Sequence, residues 1–258
     1  MINLIKMLIG RARYIAPRRV RFCGAYESRE EAVKAVPKGL TVGYDNDNVV
    51  DLNFELMCEV ASWDYPVLYW LRRLLPEASG LLDAGGHMGT KYRAWQQHLD
   101  YQPPFEWTIY DVPAVVKAGI ARAEQDGLSN LKFTTDLSEI STADIFLGSG
   151  LLQYIESPLK ELILQIPNKP KYLIFNKVPV RKGPAKYTLE NFYSGLVPYY
   201  IRNEDELIGE FNSLGYEVMD RWEIPALTHR ISTHLEMGNF QNIGYALRQV
   251  TGSGKYCR

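Results

Sequence analysis

The stretch "LLDAGGHMGT", residues 81–90, decides how the rest of the chain is read. Two leucines lead to an acid, Asp83. Glycines then cluster at Gly85, Gly86 and Gly89, and the run "TKYRAWQQHL" continues with helical character. A short apolar run that breaks into glycines before a helix pattern reads as strand, turn and helix. Glycine lacks a Cβ, so the backbone of such a turn can approach a ligand closely. The helix behind the turn offers free N–H groups to an anion. The loop therefore suits a ligand that carries a negative group.

Working outward, strands and helices alternate from residue 76 onward. "FEWTIYD" (105–111), "LKFTTD" (131–136), "ADIFLGS" (143–149) and "KYLIFNKV" (171–178) read as strands. Between them lie helical runs. "PAVVKAGIARAEQDG" has Pro113 in its first turn and Gly127 at its end, and Ser157 with Pro158 opens "PLKELILQI". Asn203 and Glu206 form a capping box for "EDELIGEFNSLG", which Gly215 closes. Two late strands follow, "YEVMDRWEI" and "NIGYALRQV". This alternation predicts an α/β, doubly wound, mostly parallel seven-stranded Rossmann-like sheet closed by a C-terminal antiparallel hairpin. Ligands of such sheets sit beyond the carboxyl ends of the central strands, where the strand order reverses.

Residues 1–75 read differently, as an N-terminal helical extension to a domain over 76–258. "SREEAVKAV" begins with Ser28 and Glu31 in capping-box spacing. "VVDLNFELMCEVASWDYPVLYWLRRLLP" is apolar at helical spacing, with breaks at Pro66 and Pro76. The polar "GYDNDN" is a loop between them.

The 258 residues suit one large domain with an elaboration. A net charge of -1 argues against a nucleic-acid partner. The charge is uneven: residues 1–21 hold Lys6, Arg11, Arg13, Arg18, Arg19 and Arg21 and no acid. That basic, amphipathic start reads either as a docked helix or as a weak peripheral contact with anionic lipid. No run reaches the ~20 apolar residues of a membrane span. The three cysteines, Cys23, Cys58 and Cys257, have no metal spacing and an odd count, so no metal site is expected and a reducing cytoplasm is the expected compartment. Seventeen tyrosines are in excess, which suits a wall against sugars or other flat polar ligands.

Dinucleotides and S-adenosylmethionine both fit the glycine loop. A dinucleotide fingerprint needs glycine at the third and sixth positions; counted from Gly85 these are His87 and Thr90. Asp83 at the strand end favours a ligand with an ammonium group, which S-adenosylmethionine has. The loop resembles motif I of class I S-adenosylmethionine-dependent methyltransferases, D-x-G-x-G-x-G. Asp83, Gly85 and Gly89 match, with His87 where the middle glycine is usual and Gly86 beside it. Asp111 in "WTIYDVPAVV" stands where that family binds the ribose, with Val112 next to it. Asp136 and Leu137 in "TTDL" stand where it contacts adenine. "ADIFLGSGLLQYIESP" resembles the strand and loop facing the methyl donor, which adds Ser149. "GAYESREEA" and "GYD" look like a narrower methyltransferase group associated with bacterial surface-polysaccharide synthesis.

The resemblance implies methyl transfer to oxygen or nitrogen of a small molecule or sugar. The rival readings are a scaffold that kept the fold and a nicotinamide oxidoreductase. Asp111 also reads as the cap of the Pro113 helix, and Asp136 as a turn residue. Gln153, Tyr154 and His229 are the catalytic candidates; Gln153 orients an acceptor, and His229, with His234 and His87, is the choice of base. Lys91 and Tyr92 read as helix surface and packing. Tyr187, Phe192, Tyr193, Tyr199 and Tyr200 are expected to wall the acceptor.

Overall fold

The computed structural model describes residues 20–38, 40, 54–100, 105–192 and 195–250, the side chain of Phe192 excepted. Residues 1–19 of the basic start over 1–21, the "GYDNDN" loop, Tyr193 and Cys257 lie outside the described residues. The strand of the opening stretch forms as β2, Gly80–Ala84, with all five residues buried. Successive side chains leave a strand on opposite faces, so both faces of the sheet are covered. Leu82 and Ala84 enter one core cluster and Leu81 another.

The parallel strands β3 (Glu106–Tyr110), β4 (Leu131–Thr134), β5 (Ile145–Ser149) and β6 (Tyr172–Arg181) surround β2 in the order β4–β3–β2–β5–β6. Two late strands extend it. β11 (Asn239–Gln249) runs antiparallel to β6, and β9 (Tyr216–Glu223) runs antiparallel to β11. These seven strands are the sheet the sequence predicts, with its antiparallel pair at the end.

Helices α3 (Tyr65–Leu74), α4 (Thr90–Trp95) and α5 (Pro113–Gln125) cover the Leu81 face through Val67, Leu71, Trp95 and Ala123. Helices α6 (Leu159–Leu164) and α7 (Glu204–Ser213) cover the Leu82 face through Leu159, Leu162, Leu207 and Phe211. The sequence caps hold: Ser28 accepts from the Glu31 N–H at the start of α1 (Arg29–Lys34), and Asn203 from the Glu206 N–H at the start of α7. The short α2 (Phe54–Met57) packs Phe54 on Met88 and Val115. Among the described residues no helix is long and apolar enough to cross a membrane.

The sheet has eleven strands rather than seven. β7 (Lys186–Phe192) and β8 (Gly195–Asn203) form an antiparallel ladder, and β1 (Phe22–Tyr26) adds to β7. β8 joins the main sheet at Val180 and Arg181 of β6. β10 (His229–Arg230) pairs with the start of β11. β1 is a strand inside the segment with helical patterning, because its stability comes from pairing with residues over 160 positions away.

One irregularity interrupts β6 at its middle. Ile243 of β11 faces Val178 of β6, but Tyr245 faces Phe175. Asn176 and Lys177 therefore lie opposite the single residue Gly244, which is a β-bulge. Lys177 takes the left-handed conformation with φ +58°. On the other side of β11, Gly244 faces Trp222, and a Cβ there would lie 1.9 Å from the indole. The indole crosses the bare backbone and donates to Asn176 Oδ1 at 3.1 Å. Gly244→Ala is expected to destabilise the fold by about 1–3 kcal/mol through overpacking, with a change in tryptophan fluorescence. Gly209 of α7 has open space around it, so Gly209→Ala is expected to stabilise by about 1 kcal/mol. Chemical denaturation of both variants checks the pair.

Candidate functional site

The loop after β2 closes over the strand ends. Gly85 takes φ +72°, and its N–H donates to the Tyr110 carbonyl at the end of β3 at 2.8 Å. A Cβ on Gly86 would lie 2.7 Å from the Asp83 carboxyl and 2.8 Å from Ile109 Cδ1, so the loop can pass over Asp83 only as glycine. His87 adopts φ +56°. It thus keeps the left-handed backbone that the middle glycine of the motif would supply; histidine is among the residues enriched there. Gly89, also left-handed, is the N-cap of α4.

Asp83 is 1% exposed, and its Oδ2 accepts from Trp107 Nε1 at 3.3 Å. Burial pushes its pKa up to about 7; Asp111 adds to the shift, while the Trp107 bond, Lys91 and Lys177 oppose it. Asp111 follows β3 directly and ties the loop to the sheet. Its Oδ2 accepts from the His87 N–H at 2.9 Å and its Oδ1 from the Val112 N–H at 2.8 Å. Burial raises its pKa as well, against the two N–H bonds. Each oxygen keeps a lone pair for a further donor. The Val112 side chain packs toward α2.

Asp136 caps the 3-10 turn Leu137–Glu139 by accepting from the Ser138 N–H and Oγ, at 2.8 and 2.7 Å. Those bonds hold its pKa below the usual range. Leu137 is buried in the main core, so a ligand would meet only its backbone.

Beyond β5 a second group of polar atoms gathers. Gly150 takes φ +76°, and its N–H donates to the Asn176 carbonyl at 2.8 Å. A methyl at Gly150 would lie 3.4 Å from Lys177 Nζ and 3.5 Å from Gln153 Nε2. Gln153 is 6% exposed. Its Oε1 and Ser149 Oγ are buried and accept or donate no hydrogen bond. Asp64, at the start of α3, is fully buried; its Oδ2 accepts from Lys91 Nζ at 2.8 Å, and its Oδ1 has no partner.

Sequence reasoning missed three of these residues. Lys91 is no surface residue: its side chain is 12% exposed and paired with Asp64. Tyr92 packs edge-on against Trp107, as expected of a packing residue. Lys177 left one trace in the sequence, a cation interrupting the apolar run "LIFNKVPV". Asp64 left none, since an acid before a helix reads as a cap.

Tyr154, in the loop after β5, and His229, on β10, belong to one network that involves the added strands. Tyr154 donates to Glu190 Oε2 at 2.6 Å, Glu190 Oε1 accepts from Arg21 Nε at 3.1 Å, and Arg21 lies 3.1 Å from His229 Nε2. Burial, with the Arg21 charge, lowers the His229 pKa to about 4. The imidazole is therefore neutral at physiological pH. The tyrosines do not form one wall, because strand alternation splits them between faces. Tyr199 packs with Phe22, Phe240 and Tyr154. Tyr187 and Tyr200 stack at 4.5 Å in the other direction.

Asp83 held protonated by the fold means that stability falls as pH rises from about 4 to about 7, where only the unfolded chain has lost the proton. Asp83→Asn removes this dependence. The variant's melting temperature is expected to exceed that of the native chain by more at about pH 8 than at about pH 5; calorimetric scans at the two values measure it.

No protein-family model and no curated protein matches the chain. Solved structures do. The N-terminal domain of EvdMO1 with S-adenosylhomocysteine (SAH) bound superposes with TM-score 0.52 at 14% identity, over 87% of this chain and 98% of that one. The same domain was also crystallised in the presence of SAH and D-fucose. The glycopeptide N-methyltransferase MtfA, complexed with S-adenosylmethionine, gives 0.52 at 11% identity over 74% and 96%. The Burkholderia thailandensis 1,6-didemethyltoxoflavin-N1-methyltransferase, with its substrate and SAH, gives 0.50 at 15% over 74% and 79%. Element order, sheet topology and these superpositions agree: the chain has the mixed α/β, Rossmann-like methyltransferase fold.

Proposed function

We propose that the protein transfers a methyl group from S-adenosylmethionine to an oxygen or nitrogen of a small molecule or sugar. The observation that carries this reading is the buried Asp83 carboxylate under a loop whose Gly86 leaves no room for a side chain. The donor set fits the cofactor. Asp83 balances its ammonium group, Asp111 has lone pairs for the ribose hydroxyls, and Asp136 with the Leu137 backbone borders the adenine. Gly85, His87 and Gly89 shape the loop, and Ser149 Oγ, buried without a partner, would offer the cofactor a further hydrogen bond. Bound there, the cofactor supplies an electrophilic methyl group.

The chain's own residues do the rest. Gln153, buried and with a free Oε1, aligns the acceptor by a hydrogen bond. Tyr154 and His229 enter through the Glu190–Arg21 network, which positions Tyr154 beside Gln153. The resemblance to a surface-polysaccharide group and the crystallisation of the EvdMO1 domain in the presence of D-fucose favour a sugar acceptor. In this reading residues 76–258 carry the reaction in the cytoplasm, residues 1–75 extend it, and the basic start touches anionic lipid.

Calorimetry with SAH, and with NAD as the control, tests the reading. SAH is expected to bind and NAD to give no heat; NAD binding without SAH binding would replace the methyl-transfer reading with an oxidoreductase. Asp111→Ala is expected to weaken SAH by about 1.5–3 kcal/mol, as for a hydrogen bond to a charged group. SAH affinity is also expected to rise as pH passes through about 7, where Asp83 ionises to meet the ligand ammonium. Asp83→Asn should flatten that rise.

A further inference from the structure

Lys177 stands out because the fold goes to some length to place it. A lysine in the left-handed conformation is strained relative to ordinary strand geometry. The bulge opposite Gly244 imposes that conformation, and bulges commonly re-aim a side chain beside an active site. Trp222 pins the preceding Asn176 by its Oδ1, and Asn176 Nδ2 donates to the Trp63 carbonyl at 3.1 Å. Lys177 thus has a fixed origin. Its amine and the amide of Gln153 both border Gly150: a methyl there would lie 3.4 Å from Lys177 Nζ and 3.5 Å from Gln153 Nε2. Among the described residues it makes no hydrogen bond or ion pair, although carboxylates and amide oxygens surround the cluster.

We propose that the Lys177 amine takes the proton of the methyl acceptor, with Gln153 aligning that acceptor beside it. This deepens the methyl-transfer reading and rests on it. In the step, an oxygen or nitrogen lone pair of the acceptor forms the bond to the methyl carbon. The carbon–sulfur bond breaks with its electron pair on sulfur, which leaves SAH. The acceptor's O–H or N–H bond gives its electron pair to the heteroatom, and the proton goes to the neutral Lys177 amine, which becomes an ammonium.

The electrostatics agree with the geometry. Burial, then the charge of Lys91, lowers the Lys177 pKa to about 8, while Asp64 and Asp83 pull it upward. A neutral amine is therefore accessible near physiological pH, which ordinary lysines are not. The charged groups facing it are Lys91 on α4, Asp64 at the start of α3 and Asp83 on β2. Lys91 already neutralises Asp64, so Lys177 is left without a committed counter-charge. His229, at a pKa of about 4 and bonded to Arg21, is a poorer proton acceptor at the same pH.

The test uses binding and titration rather than turnover. Lysine side chains labelled at Cε are followed by NMR from about pH 6 to about pH 11. Lys177→Asn identifies the Lys177 signal, and asparagine tolerates the left-handed backbone. The Lys177 midpoint is expected near 8. S-adenosylmethionine has a cationic sulfur and SAH does not, so the first should lower the midpoint and the second should not. Correspondingly, S-adenosylmethionine affinity should rise by at least about threefold relative to SAH as Lys177 loses its proton, and this relative gain should vanish in Lys177→Met and Lys177→Asn. Both variants should keep SAH affinity within about threefold of the native chain, because the amine faces the acceptor side. A midpoint in the ordinary lysine range near ~10.4, or an equal response to the two ligands, overturns the proposal. So does a loss of SAH affinity in both variants, which would make Lys177 a cofactor-holding residue. If SAH fails to bind the native chain, the methyl-transfer reading falls and this proposal with it; if SAH binds and Lys177 titrates ordinarily, only the proposal falls.

Discussion

The Asp83 carboxylate is buried at the carboxyl end of the central strand, where its pKa is raised toward neutrality. A buried carboxyl group needs donors, and Trp107 of the neighbouring strand supplies one. The chain must then turn away from the strand directly over the carboxyl group. Only a residue without a Cβ passes there, hence Gly86. The turn continues through His87, whose N–H is caught by Asp111 on the next strand. One buried acid thus dictates the indole at 107, the glycine at 86 and the link between two strand ends. The same charge acts on Lys177 two strands away.

The added strands change how the site is closed. β1, β7 and β8 grow from the far end of β6, and the buried Glu190 links them back. Glu190, 3% exposed, accepts from both Tyr154 and Arg21. Tyr154 follows Gln153, so the network that ties the added strands also orients the loop after β5. The Tyr200 N–H donates to the Gln153 carbonyl at 2.9 Å and fixes the same loop from its backbone. The elaboration is therefore connected to the candidate site through the chain that carries Gln153.

The bulge at Asn176 and Lys177 couples three strands. Trp222 on β9 spans β11 at Gly244 to bond Asn176 on β6. Removal of a side chain on the middle strand lets residues of the two outer strands touch. The bulge then presents Lys177 just past the carboxyl end of the neighbouring β5 instead of leaving it in the ladder. Local strain of this kind persists where surrounding contacts over-determine the backbone, and here an indole, an asparagine and a tryptophan carbonyl do so.

The sequence by itself determined the seven-stranded sheet, its helices and the loop after β2. Those features are local: apolar runs of strand length, caps such as Ser28 and Asn203, and glycines at Gly85, Gly86 and Gly89 each act within a few residues. Even His87 is consistent with local rules, since it occupies a left-handed position that histidine accepts. What only the tertiary structure decided depends on partners far apart in the chain. β1 forms because Phe22 and Cys23 meet β7, and the tyrosines divide because β7 and β8 pair in one register. Lys91 is drawn inward because Asp64 waits for it from the segment before α3. Lys177 is aimed at the site because β11 is one residue short opposite it, and a register shift between strands separated by some seventy residues leaves no periodic signal in either one.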